Sequence, residues 1–150
     1  MPQSFGSLYF HLISSTKNRE PIITEDLEPR LYEYLGGILR NQEGKLDAAG
    51  GTKDPIHLLV TLSRQASIAD TVRVLKSNSS GWIHENFPDQ QSFAWQAGYG
   101  AFSVSDSGLE AVQAYLANQK QHHTKQTFQE EYRAFLIRHE LEYDEQYVWD

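Results

Sequence analysis

The chain has 150 residues, 39% of them hydrophobic and 22% charged, which suits one folded domain over 1–150 and excludes a disordered polymer. The absence of cysteine excludes disulfides, zinc–thiolate centres and a cysteine nucleophile. A formal net charge of -7 argues against a protein that coats nucleic acid without selectivity, because phosphate neutralisation supplies most of that affinity.

Leu8 to Ile13 reads as a strand of aromatic and branched residues. Thr24 can cap a helix starting at Glu25 and running to about Arg40, with Leu27, Leu31, Leu35 and Ile38–Leu39 at helical spacing. Pro29 falls early enough to be tolerated, and Gly36–Gly37 offers a place of close packing. Lys45 to Thr52 is a short strand. Ile56 to Leu62 is the next, with Pro55 at its start, where a missing N–H costs least. Ser67 caps a helix from Ile68 to about Glu85 whose apolar face holds Ile68, Val72, Leu75 and Trp82. Phe93 to Val104 reads as the last strand. Ser105 or Asp106 then caps a helix carrying Leu109, Val112, Tyr115 and Leu116, and Phe128 to His139 forms a final helix before an acidic, aromatic tail. The order predicts an α+β, ferredoxin-like four-stranded antiparallel sheet with helices on one face and a C-terminal helical extension. The opposite face is expected to stay free for a partner or a site.

In strand period, Ile56, Leu58 and Val60 point toward the helices, and Pro55, His57, Leu59 and Thr61 point away. His57 therefore belongs to the uncovered face, as a metal ligand or as a histidine hydrogen-bonded at a dimer interface. If the first and third strands are neighbours, His11 shares that face, as a second donor or as a satisfied structural histidine. Tyr115 and Gln119 are one helical turn apart. Tyr115 is either a nucleophile or an extension of the core stripe with its hydroxyl at the rim. Tyr99 is a rival nucleophile or a packing aromatic. Lys17, Arg19, Arg64, Arg73 and Lys76, with Lys120, Lys125, His122 and His123, could track phosphates or be solvated charges. Trp82, Phe93, Trp95 and Tyr99 offer stacking surfaces for unpaired bases or pack in the core. Met1 to Ser4 lacks a basic segment leading into an apolar run, and no stretch is apolar for long enough to span a bilayer. A cytoplasmic protein without a membrane partner is the default expectation.

Several segments together resemble a known family. They are Ser15 to Arg19, Asp54 to Val60, Ala69 to Trp82 with its Leu-Lys-Ser-X-Ser-Ser-X-Trp core, Phe93 to Ser105, and Tyr115 to Gln119 followed by His122–His123. The resemblance is to the single-tyrosine transposases of the HUH superfamily, the TnpA-type enzymes of single-strand insertion sequences and their repeat-associated relatives. It implies that Tyr115 is the nucleophile and that His57 and Gln119 bind Mg²⁺ or Mn²⁺. The first histidine of the family's His-hydrophobe-His motif falls on Pro55, which has no donor atom. Asp54, His11 or water are the available replacements, although strand alternation turns Asp54 to the other face. The resemblance further implies a homodimer acting on single-stranded DNA hairpins, cleaving and rejoining them through a 5′-phosphotyrosine without ATP. With one ligand missing, it also implies impaired cleavage or a catalytically inactive hairpin-DNA-binding dimer of the same fold.

Overall fold

The computed structural model describes residues 2–121 and 126–150. Four strands form one sheet: β1 (Tyr9–Ser15), β2 (Lys45–Gly51), β3 (Pro55–Thr61) and β4 (Gly100–Val104). Their order is β2-β3-β1-β4, and every neighbouring pair is antiparallel. Helices α1 (Leu27–Asn41) and α2 (Ile68–Asn86) are followed by α3 (Leu109–Ala117) and α4 (Phe128–Arg138). This is the ferredoxin-like α+β arrangement with a C-terminal extension that the element order predicts.

Periodicity explains the first layer. Leu27, Leu31, Leu35, Ile38 and Leu39 of α1 are buried, and with Val72, Leu75 and Ile83 of α2 they pack on Leu12, Ile56, Leu58 and Val60 of the sheet. Thr24 Oγ1 accepts from the Leu27 backbone N–H at 3.2 Å, so the expected cap is present although the helix begins at Leu27. Ser67 Oγ accepts from the Asp70 N–H at 3.1 Å and starts α2 in the same manner. Trp82 sits at the rim of this layer, stacked on Tyr34 with ring centroids 4.6 Å apart.

The last strand is shorter than expected. Only Gly100–Val104 pairs continuously with β1, while Trp95 makes a single bridge to Thr16. Side chains hold the intervening loop instead. Lys76 Nζ donates to the Gln96 and Gly98 carbonyls at 2.8 and 2.6 Å, and Gln96 Oε1 accepts from the Ser15 N–H at 2.6 Å.

The second sheet face is not free, which corrects the expectation. Helix α4 carries Phe128, Tyr132, Phe135 and Leu136 as an apolar stripe, and these pack with Ile13 and Phe102 into a second core. Leu59, expected to be uncovered, is fully buried. Helix α3 lies against β2 so closely that a Cβ on Gly50 would fall 1.9 Å from the Leu116 carbonyl oxygen. Gly50 pairs with His57 across the sheet, so α3 covers the His57 face. The Gly36–Gly37 pair gives no comparable approach: a Cβ on Gly36 meets nothing nearer than 3.7 Å.

Candidate active site

Strand β3 begins at Pro55, and His57 follows two residues later on the face covered by α3 and α4. Antiparallel register sets Ile13 opposite His57 and His11 opposite Leu59, so both histidines share that face. His11 Nε2 and His57 Nδ1 are 2.8 Å apart. The other His57 nitrogen, Nε2, lies 2.9 Å from Glu131 Oε1 on α4. The second oxygen of that carboxylate accepts the Tyr115 hydroxyl and, at 3.1 Å, the Gln119 side-chain N–H. Five side chains from β1, β3, α3, α4 and the backbone just beyond α3 thus form one connected network.

The network is nearly dry. His57 is 0% exposed, Gln119 1%, Glu131 2% and His11 3%. The Phe135 ring stands edge-on to His11 with centroids 5.1 Å apart. Burial, and then the neighbouring His57, lowers the His11 pKa to about 3, so His11 is neutral at neutral pH. The proton of a neutral His57 has two possible seats. On Nε2 it is donated to Glu131. On Nδ1 it is donated to His11 and leaves the Nε2 lone pair available. Burial, followed by the hydrogen bond to Glu131, raises the Tyr115 pKa above that of a free phenol.

The sequence-predicted centre is therefore brought together within one chain: His57, Tyr115 and Gln119 all meet at Glu131. Helix α3 ends at Ala117, Asn118 is its cap, and helical backbone resumes at 119–121, yet Tyr115 and Gln119 still share a side. Pro55 offers no donor. The Asp54 carboxylate accepts the Thr52 hydroxyl at 3.1 Å in the β2–β3 turn, and the Asp54 carbonyl accepts the Thr16 N–H. His11 stands behind His57.

Among the described residues no three His, Cys, Asp or Glu side chains gather in a metal-binding group. The donor set nevertheless suits a divalent cation in one respect. Gln119 Oε1 is buried and has no hydrogen-bond donor, so it is an oxygen available for coordination.

Sequence reasoning missed Glu131, although a signal existed. Phe128, Glu131 and Phe135 stand at i, i+3 and i+7, so Glu131 lies on the buried side of an amphipathic helix. A carboxylate there needs partners.

The predicted phosphate-tracking residues are dispersed. Lys17 and Arg19 are exposed on a 3₁₀ turn after β1, and Arg64 is exposed ahead of α2. Arg73 and Lys76 line an open groove of about 480 Å³ with Trp95 and Tyr99. Arg73 is exposed near Asp70 at 3.7 Å. Lys76 is committed to two loop carbonyls, and burial lowers its pKa to about 8. Phe93 is a core residue at 2% exposure, and its ring is unavailable for stacking on a base. Lys120 pairs with Glu28 at 2.8 Å. His122, His123 and Lys125 lie outside the described residues.

A ferredoxin-like sheet with a tyrosine-bearing helix seated over a strand histidine is the arrangement expected of a single-tyrosine transposase, and the comparison with known families shows that class. Residues 4–119 match the model of the IS200-like transposase family, and the chain belongs to that family. It is 24% identical over 117 residues to the ISDra2 transposase TnpA of Deinococcus radiodurans, covering 75% of this chain and 84% of that protein. A crystal structure from Deinococcus radiodurans R1, of a chain provisionally called a transposase, superposes with a TM-score of 0.64 and 28% identity, over 79% of this chain and 98% of that one. A REP-associated tyrosine transposase, solved bound to a REP hairpin, shares the fold with a TM-score of 0.59 and 12% identity, over 83% of this chain and 72% of that one. No described helix is long and apolar enough to cross a membrane.

Proposed function

We propose that this transposase-family chain cleaves and rejoins single-stranded hairpin DNA through a covalent bond to Tyr115. The observation that carries this reading is the convergence of Tyr115, His57 and Gln119 on one buried carboxylate within a single chain. The Tyr115 oxygen attacks a phosphodiester phosphorus, the new Tyr115 O–P bond forms as the P–O3′ bond breaks, the 5′ phosphate stays on Tyr115, and the 3′ oxygen leaves and gains a proton. Burial keeps Tyr115 a neutral phenol, so its proton leaves as the oxygen attacks, and Glu131 Oε2 is the acceptor already hydrogen-bonded to it. A 3′ hydroxyl reverses the step and joins strands. His57 and Gln119 would hold a Mg²⁺ or Mn²⁺ ion, whose contribution is to polarise the phosphate as a Lewis acid. Exposed Lys17, Arg19, Arg64 and Arg73 are the phosphate contacts of this reading, with Lys76, His122 and His123 as further candidates. Trp95 and Tyr99, in the groove beside Arg73, are the surfaces for unpaired bases.

A second reading, a catalytically inactive hairpin-DNA-binding dimer, is favoured by Pro55 and by the closure of α4 over the site. The homodimer rests on the family resemblance; the second sheet face is covered by α4 within the chain. Light scattering at micromolar concentration measures it.

The test is a denaturing gel for protein–DNA adducts with hairpin substrate and Mn²⁺. The unmodified chain should form adduct slowly, Pro55→His should form it faster, and Pro55→His/Tyr115→Phe should form none. Adduct in the phenylalanine variant would move the nucleophile to Tyr99. Full hairpin binding without adduct in any variant would establish the second reading.

A further inference from the structure

We propose that Glu131 is a direct ligand for the divalent cation, supplying the donor that position 55 lacks. The inference rests on the reading that the His57–Gln119 face is the cation face, and deepens it.

Glu131 lies beyond the family match, which ends at Gln119, so this donor comes from a part of the chain that the family model does not cover. Its Oε1 is 2.9 Å from His57 Nε2. Two adjacent ligands of an octahedral ion with bonds of about 2.1 Å stand about 3 Å apart, so the pair already has the spacing of neighbouring coordination positions. The third donor is the buried Gln119 Oε1, which no hydrogen-bond donor occupies, on a side chain whose N–H already rests on Glu131 at 3.1 Å.

The chemistry of the exchange is favourable. A hard cation prefers carboxylate and carbonyl oxygens, and an anionic oxygen in place of a neutral imidazole adds attraction for Mg²⁺ or Mn²⁺. With its proton on Nδ1 and donated to His11, His57 Nε2 carries a lone pair on the Glu131 side, and a turn of the ring aims it at an ion shared with that carboxylate. The carboxylate is preorganised, because Phe128, Tyr132, Phe135 and Leu136 anchor α4 in the second core. Asp54, the other nearby carboxylate, accepts the Thr52 hydroxyl in its own turn.

The experiment is Mn²⁺ titration of the full chain, following free Mn²⁺ by electron paramagnetic resonance, with no DNA present. One ion should bind per chain. Glu131→Gln should weaken binding about tenfold or more, the scale on which even indirect ligand support matters. Glu131→Gln/Pro55→His should recover affinity to within a few-fold. If these variants fail to fold, Glu131→Asp decides, because it keeps the charge and withdraws the carboxylate by one methylene: it should also weaken Mn²⁺ binding. Unchanged or tighter binding in Glu131→Gln overturns the proposal, because Glu131 would then be a stopper in the site. Mn²⁺ binding by Glu131→Asp as tight as that of the unmodified chain overturns it as well. The adduct gel keeps the two readings separable: adduct with normal Mn²⁺ binding in Glu131→Gln refutes Glu131 as ligand and as proton acceptor but leaves cleavage through Tyr115 standing, and Glu131-dependent Mn²⁺ binding without adduct refutes only the cleavage.

Discussion

At the scale of single residues, the centre is organised by Glu131 and its donors. A carboxylate at 2% exposure depends on its hydrogen bonds, and the Tyr115 hydroxyl is one of them. Tyr115→Phe should therefore destabilise the protein by about 1–3 kcal/mol without DNA or metal, measured as a lower urea midpoint at unchanged slope. Tyr32 gives a pH test away from the centre. Its pKa is raised first by burial and then by Glu28. A raised folded pKa means that the stabilisation is fully present below the unfolded value near 10 and is lost as pH rises beyond it. Lys76 has the opposite sign: its folded pKa of about 8 is depressed, so its contribution rises with pH up to about 10.5 and then levels off. Above that point, Tyr32→Phe should lose stability less steeply than the parent chain, by about 1.4 kcal/mol per pH unit. Equal slopes between pH 10.5 and 11.5 would mean that Tyr32 titrates as a solvated phenol.

At the scale of elements, the docking of α3 and α4 decides whether the centre exists. Gly50 lets α3 descend on β2, since a Cβ there would fall 1.9 Å from the Leu116 carbonyl oxygen. Leu116 directly follows Tyr115. Gly50→Ala should push α3 outward, cost about 1–3 kcal/mol as an overpacked contact does, and remove adduct formation by carrying Tyr115 and Gln119 away from His57. Thermal unfolding and the adduct gel read the two effects separately. Cleavage at the parent rate by a destabilised Gly50→Ala chain would show that α3 repositions freely. The glycine pair in α1 drew attention in the sequence because two adjacent helix-weakening residues are locally conspicuous. Gly50 drew none, because its role depends on Leu116, 66 residues later in the chain.

At the scale of the whole molecule, charge sets the terms of DNA binding. The net charge is -7, and acidic residues dominate the tail after α4, while Arg64 and Arg73 stand exposed around α2. Arg73 and Asp70 are 69% and 76% exposed, so their pairing holds Arg73 weakly and leaves it able to turn to phosphate. Hairpin DNA should bind better than random duplex, with affinity falling steeply as salt rises. Arg64→Ala and Arg73→Ala should each weaken binding and make the salt slope shallower by about one. Equal affinity for hairpin and duplex at moderate salt would remove selectivity for unpaired DNA.

The sequence by itself determined the sheet, the two helices on its first face, and the identity of His57, Tyr115 and Gln119 as residues to watch. Alternation of period two and apolar spacing of three and four are local signals that survive without knowledge of distant contacts. Pro55 reads locally as an ordinary strand start, and stands out as a missing donor only against the His-hydrophobe-His motif of the resembled family. Tertiary structure alone decided that α4 closes the second face, that Asp54 remains in its turn, that Lys76 serves loop carbonyls, and that Glu131 receives Tyr115, His57 and Gln119. Each of these depends on which surfaces bury one another. The stripe of Phe128, Tyr132 and Phe135 announces that α4 must pack, but only the competing apolar surfaces of Ile13 and Phe102 specify where. Once that burial fixes α4, the carboxylate on the same helical side has no water to turn to and settles on the donors of the sheet and α3.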